Sequence, residues 1–124
     1  MSHVAARAVG LLAALCAAGP LGCRPRLAVP PTGPHVSDTP APVPYPPPAA
    51  QVELVGSQPG QGQVWVDGHF VYDGGSWRWQ PGRWEPGRRG WHYAPATTVR
   101  RADGVLVYYP GCWQRTSGRA TSGN

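Results

Sequence analysis

The chain has 124 residues, among them 16 prolines and 17 glycines, and a net charge of +5 in which every basic residue is arginine. This length allows one small domain at most, and a proline and glycine content of about a quarter excludes a core that runs through the whole chain. The arginines occur in runs no longer than two, which favours a solvated basic surface and argues against a nucleic-acid partner.

A short apolar run near the N-terminus predicts an export signal. Residues 8–18 are too few to cross a bilayer, which needs about twenty. Small residues follow, and Gly22 directly precedes Cys23, which resembles the bacterial lipobox at these two positions. The chain departs from that pattern at Pro20, where the lipobox usually has leucine. Residues 1–22 are therefore expected to be a lipoprotein-type signal peptide.

The lipobox resemblance implies that Cys23 is the lipidation site and the new N-terminus. Several acyl chains would hold the protein on a membrane, because each buried methylene contributes about 0.8 kcal/mol. Arg24 stands where an aspartate tends to mark inner-membrane retention, which implies the outer membrane. We expect an exported lipoprotein anchored there and facing the periplasm. The alternative is a soluble secreted or periplasmic protein.

Residues 23–50 are predicted to form a stalk or linker. Ten of the 27 residues in 24–50 are proline. Proline has no backbone N–H and a fixed φ, which excludes a helix or an inner strand. We therefore expect a disordered or polyproline II segment with no regular hydrogen bonds.

The next part of the chain repeats. Aromatic-x-x-Gly-x-aromatic units recur with key positions 68, 82, 96 and 111, at steps of 14, 14 and 15 residues. The copy at Ala96 keeps only its aromatic residue and its proline. Internal repetition at a fixed step indicates a repeated structural unit. The residues of the repeat motif are Trp65, Gly68, Phe70, Trp79, Pro81, Gly82, Trp84, Tyr108, Pro110, Gly111 and Trp113.

Each unit has the pattern of short strands. Alternation in residues 76–80 places Trp77 and Trp79 on one face and Arg78 on the other. A bulge or bend at residues 81–82 would return Trp84 to the face of Trp79. We predict a small all-β domain over 51–114, an antiparallel meander, before a disordered tail at 115–124. Its strands are expected near 63–66, 69–73, 76–80, 83–86, 90–94, 97–101 and 105–109.

The tryptophans are interpreted mainly as packing residues, because aromatic side chains compensate for a short chain by burying a large area. The alternative is a partly exposed aromatic face that binds a ligand, with arginines close by. The residues of this candidate ligand face are Trp77, Trp79, Trp84, Trp91, Arg78 and Arg83.

The repeats resemble the bacterial YXWGXW-repeat proteins, which are often lipoproteins. Trp79, Gly82 and Trp84 carry the resemblance best, whereas Pro81 replaces the tryptophan of the name motif. The resemblance implies an envelope location. It implies no particular biochemical activity and no functional residues.

The sequence contains no convincing catalytic constellation, so an enzyme is not expected. His69 and His92 occupy slots that hold arginine in other copies, which indicates a solvated polar face and argues against a metal site. Cys112 is expected to be shielded by aromatic residues or to pair between chains, or with Cys23 if that residue is not acylated. No metal and no cofactor are expected.

Two hypotheses for function remain. The first is a non-enzymatic cell-envelope lipoprotein with a structural or protein-interaction role, held on the membrane by N-terminal acyl chains and contacting an envelope protein. The second is a module that binds glycan or cell wall through exposed tryptophan and arginine.

Overall fold

A computed structural model of the chain describes Gly22 and residues 26–117. Apart from Gly22, the predicted signal peptide lies outside these residues, as do Cys23 and most of the predicted tail. Within the described part of the chain, no helix is long and apolar enough to cross a membrane.

The described residues form nine short strands and no helix, which confirms the prediction of a small all-β fold. Strands β2 to β8 match the seven predicted strands to within one residue at each end. Strands β1 and β9 were not predicted, and β9 extends into the predicted tail as far as Arg115. The strands are β1 Ala41–Pro42, β2 Gln63–Val66, β3 His69–Asp73, β4 Ser76–Gln80, β5 Arg83–Pro86, β6 Trp91–Ala94, β7 Thr97–Arg100, β8 Leu106–Tyr109 and β9 Cys112–Arg115.

The repeats fold into two long hairpins, each interrupted once, and we call them the first arm (β2–β5) and the second arm (β6–β9). In the first arm, β3 pairs with β4 and β2 pairs with β5. In the second arm, β7 pairs with β8 and β6 pairs with β9. This nested pairing differs from the predicted simple meander, in which each strand pairs with the next.

The turns at the arm tips explain the unequal repeat steps. The first arm turns at Gly74 and Gly75, whose φ angles of 59° and 90° are the left-handed values that a two-residue hairpin turn requires. The second arm turns through a longer loop at residues 101–105, with Gly104 at φ 85°. The longer loop accounts for the step of 15 rather than 14 residues.

The interruption of each arm is a symmetric break rather than the predicted bulge. In the first arm, Val66 faces Arg83 and His69 faces Gln80, so two residues leave the ladder on each strand and no extra residue is inserted. The second arm breaks in the same way at residues 95–96 and 110–111.

The proline-rich segment does not form the predicted stalk. Residues 28–50, here called the strap, lie along both arms. The carbonyl of Ala28 accepts the N–H of Trp65 at 2.8 Å, and the carbonyl of Pro31 accepts the N–H of Tyr93 at 2.8 Å. Trp65 and Tyr93 occupy equivalent positions in the two arms. The strap therefore joins the arms at matching points.

The strap also contributes a strand and a core residue. Its Ala41–Pro42 pairs antiparallel with β8, and Val43 is only 6% exposed. Proline is compatible with these contacts because an edge segment can accept hydrogen bonds through its carbonyls without donating any. The stalk prediction was wrong because it rested only on the N–H donors that proline lacks.

The remaining core is small. Val66, Ala94 and Val107 are at most 2% exposed. His92 is also buried, at 7% exposure, which corrects its predicted place on a solvated face. The strap covers its ring, and Nε2 lies 2.9 Å from the carbonyl oxygen of Pro34.

Docking of the strap predicts that Val43→Asp detaches it. An aspartate there would bury an unpaired charge, which we expect to reduce the free energy of unfolding by at least about 2 kcal/mol. Limited proteolysis should then cut the strap quickly. Val29→Asp, at a strap residue that is 56% exposed, is the matched control and should leave the strap protected. Equal cleavage rates in both variants would contradict a docked strap.

Candidate functional site between the two arms

The aromatic residues of the repeats face one another across the strands. Four pairs lie directly opposite in register, with ring centroids 5.0 to 5.7 Å apart in edge-to-face arrangements. Such pairs contribute about 0.5–1.5 kcal/mol beyond their buried area. The pairs are Trp65–Trp84, Phe70–Trp79, Tyr72–Trp77 and Tyr93–Trp113.

The repeat glycines lie beneath rings of the opposite strand. A Cβ on Gly68 would approach Cζ2 of Trp79 to 2.5 Å, and one on Gly82 would collide with Cζ2 of Trp65. The φ angle of neither glycine is positive. The motif therefore needs glycine because of a close ring contact and not because of a left-handed backbone. Gly111 in the second arm has the same relation to Tyr93.

The break in the first arm frees two backbone donors, and Glu53 accepts both. Its carboxylate lies 3.1 Å from the N–H of Gly68 and 3.0 Å from the N–H of Gly82. Hydrogen bonds to a charged acceptor contribute about 1.5–3 kcal/mol each. Glu53 therefore holds together the two strands where their own ladder is interrupted.

At the break in the second arm, a tyrosine hydroxyl lies beside the repeat glycine. Ala96 replaces a glycine there, and the hydroxyl of Tyr93 lies beside Gly111. That hydroxyl is buried and has no hydrogen-bond partner among the described residues. Burial raises the pKa of Tyr93, so the hydroxyl stays protonated at neutral pH.

A cleft of about 360 Å³ lies between the arms and the strap. Its walls are mainly aromatic and apolar. The arms contact each other at its side, where the rings of Trp77 and Tyr108 are 5.1 Å apart and perpendicular. The lining includes Trp65, Phe70, Trp77, Trp79 and Tyr108 of the arms and Pro30, Pro47 and Pro48 of the strap.

Few polar groups line the cleft. The carboxylate of Asp67 accepts the indole N–H of Trp65 at 2.9 Å, and His69 Nδ1 lies 3.1 Å from the carbonyl oxygen of Asp67. Thr97 and Thr98 add hydroxyl groups at the wall formed by the second arm. Such a lining can orient a ligand through a few hydrogen bonds and bind it through aromatic contact.

The structure brings only part of the candidate ligand face to this cleft. Trp77 and Trp79 line it, and both are half-buried. Arg78 projects from the opposite face of β4, where it pairs with the carboxylate of Asp73. Trp84 packs on Trp65 and is not part of the lining.

The other members of the candidate face lie elsewhere. Trp91 is flanked by the guanidinium groups of Arg88 and Arg115, which lie 5.8 and 5.4 Å from its ring centroid. Arg83 pairs with the carboxylate of Glu85, which also accepts the indole N–H of Trp113 at 2.6 Å. The latter bond provides a second contact between the arms.

A polar cluster lies where the strap meets β9. His35 Nδ1 is 2.5 Å from Asp38 Oδ2, and the thiol of Cys112 is 3.5 Å from the same oxygen. The hydrogen bond from His35 lowers the pKa of Asp38, whereas burial raises the pKa of the Cys112 thiol. Neither His35 nor Asp38 was identified from the sequence, because Cys112 is 74 residues away from Asp38 in the chain and only the fold brings them together.

A sequence model described as the WXXGXW repeat matches the chain twice, over residues 60–85 and 78–97. This match confirms the resemblance inferred from Trp79, Gly82 and Trp84. The two matches cover the first arm and the start of the second. No curated protein and no solved structure matches the chain significantly.

The ring contact at Gly82 predicts that Gly82→Val destabilises the fold. The added side chain would displace the ring of Trp65 and crowd Glu53, at an expected cost of at least about 2 kcal/mol. Gly60→Val is the matched control, because a Cβ there meets nothing within 4 Å. It should change the free energy of unfolding by less than about 0.5 kcal/mol. Urea unfolding followed by tryptophan fluorescence measures both, and similar midpoints would contradict the ring contact.

Proposed function

Because the chain belongs to the WXXGXW-repeat family, we propose that it is a non-enzymatic cell-envelope lipoprotein whose repeat domain binds protein. That family is often described as YXWGXW-repeat lipoproteins. The short apolar run before Gly22 and Cys23 supports export and acylation of Cys23. Arg24 supports the outer membrane as the location, with the repeat domain facing the periplasm.

The cleft between the arms is the observation that supports a protein-binding role. The chain already places its own extended, proline-rich strap against these aromatic residues, and Pro47 and Pro48 form one wall. The indole N–H of Trp77 donates to the carbonyl of Tyr45 in the strap at 3.1 Å. Aromatic-lined grooves bind proline-rich segments in the same manner, because such segments lose little entropy on binding. An extended apolar segment of an envelope protein fits the remaining space.

Glycan binding is the second candidate. Stacking against sugar rings needs open aromatic faces, and five of the six tryptophans are half-buried while Trp65 is 8% exposed. Arg88 and Arg115 are occupied by the ring of Trp91. These contacts favour a packing role for most of the tryptophans. Of the half-buried tryptophans, Trp77 and Trp79 line the cleft and could stack on a sugar ring there. We therefore place protein binding first.

The lipoprotein proposal predicts that Cys23 carries the lipid. Cells expressing the chain should incorporate a clickable fatty acid into it, and Cys23→Ser should lose this label and leave the membrane fraction. Cys16→Ser changes a cysteine inside the signal peptide and is the matched control, which should keep the label. Equal labelling of wild type and Cys23→Ser would end the lipoprotein proposal.

The protein-binding proposal predicts site-specific crosslinking from the cleft. A photo-crosslinking residue at Thr97, which is exposed and lines the cleft, should give discrete adducts with envelope proteins in intact cells. Thr116 is exposed but lies outside the cleft, so the same residue there should give few adducts. The two positions should differ because the probe reacts only with groups that it touches, and only Thr97 lies at the proposed binding site.

A parallel measurement separates the glycan alternative. Acrylamide quenching of tryptophan fluorescence is compared with and without soluble cell-wall or lipopolysaccharide fragments. Protection of the rings by these fragments, together with equal crosslinking at Thr97 and Thr116, would favour the glycan-binding function. Crosslinking at Thr97 without protection by glycan would support protein binding.

A further inference from the structure

We propose that His35, Asp38 and Cys112 bind one divalent transition-metal ion of the zinc class, which fixes the strap to the second arm. One nitrogen, one oxygen and one sulfur ligand atom from these residues all lie within 4.8 Å of one another. His35 and Asp38 belong to the strap, and Cys112 begins β9. The site is separate from the cleft and does not depend on its function.

The spacing of the three ligand atoms is close to that of a metal site. A tetrahedral zinc ion at about 2.0–2.3 Å from its ligands holds them roughly 3.3–3.7 Å apart. Cys112 Sγ is already 3.5 Å from Asp38 Oδ2. His35 Nδ1, at 2.5 Å from that oxygen, needs to move outward by about 1 Å to fit the same range.

The second nitrogen of His35 orients the ring for coordination. Nε2 lies 2.8 Å from the carbonyl oxygen of Pro95, which only accepts hydrogen bonds, so Nε2 carries a proton. Nδ1 faces the carboxylate of Asp38 and is the ring atom that would coordinate the ion. Metal-bound histidines usually donate their other N–H to a carbonyl or carboxylate in this way.

The same two groups can hold a metal ion in place of the proton that they share. A proton on Nδ1 accounts for the contact with Asp38 Oδ2 at 2.5 Å, and a metal ion that displaces this proton would be bound by both atoms. The adjacent thiol adds a third ligand, because a zinc-class ion binds imidazole, carboxylate and thiolate together. Binding releases the thiol proton of Cys112, and the two negative charges of thiolate and carboxylate balance the ion.

Solvent reaches the cluster and can supply the fourth ligand. Asp38 and Cys112 line a surface depression of about 440 Å³ together with Val36 and Gln114. The amide nitrogen of Gln114 donates to Asp38, and it lies 3.5 Å from the sulfur of Cys112. Outer-sphere contacts of this kind position the ligands of a metal site.

Cobalt(II) titration tests the site directly. The reference protein is the full chain with Cys16→Ser and Cys23→Ser, so that Cys112 is its single thiol. One Co²⁺ per chain should produce a thiolate-to-cobalt charge-transfer band and the visible bands of a four-coordinate ion, and Zn²⁺ should displace it. Cys112→Ser should abolish the charge-transfer band. His35→Gln and Asp38→Asn should each weaken binding by at least about tenfold.

Asp73→Asn is the matched control, because Asp73 is a carboxylate outside the cluster and pairs with Arg78. It should bind Co²⁺ like the reference. A second readout is limited proteolysis of the strap, which Zn²⁺ should slow in the reference but not in Cys112→Ser. Near-ultraviolet circular dichroism verifies that each variant is folded. Binding that is absent from the folded reference, or that persists unchanged in His35→Gln and Asp38→Asn, would overturn the proposal.

Discussion

The contact between an aromatic ring and a glycine of the facing strand is the constraint on which the structure depends. At Gly82 the ring of Trp65 occupies the space of a side chain, and at Gly68 the ring of Trp79 does the same. The backbone hydrogen bonds between the strands are interrupted at these two glycines. Their N–H groups are partly buried and therefore need another acceptor. Glu53 supplies the acceptor. The repeat motif therefore produces an interrupted hairpin, and a residue from outside the motif has to accept the N–H groups at the interruption.

The strap also provides hydrogen-bond acceptors for the two arms. It accepts backbone hydrogen bonds from Trp65 and Tyr93, which are equivalent positions of the two arms. It also covers the second break, where His35 contacts the carbonyl of Pro95. A chain too short to build a large core thus joins its two hairpins with an extended segment. The cleft and the His35 cluster both exist only because the strap is in place.

The docked strap changes how an anchored protein would be arranged. Under the proposed acylation of Cys23, only four residues lie between that cysteine and the first strap contact at Ala28, a span of at most about 18 Å. The repeat domain would then lie close to the membrane instead of at the end of a long stalk. A zinc-class ion at Cys112 would further hold the strap against the second arm. A cleft near the membrane surface suits a partner that is itself in the envelope.

The sequence by itself determined the strands and their turns, because alternation, the Gly74–Gly75 pair and the 14-residue step act through neighbouring residues. It also identified the repeat family and the special glycines. Only the tertiary structure decided the nested pairing, the docking of the strap, and the positions of Glu53 and of the His35–Asp38–Cys112 cluster. These contacts join residues far apart in the chain. They depend on surfaces that form only once both arms have folded, and on proline carbonyls whose accepting capacity does not appear in a local pattern.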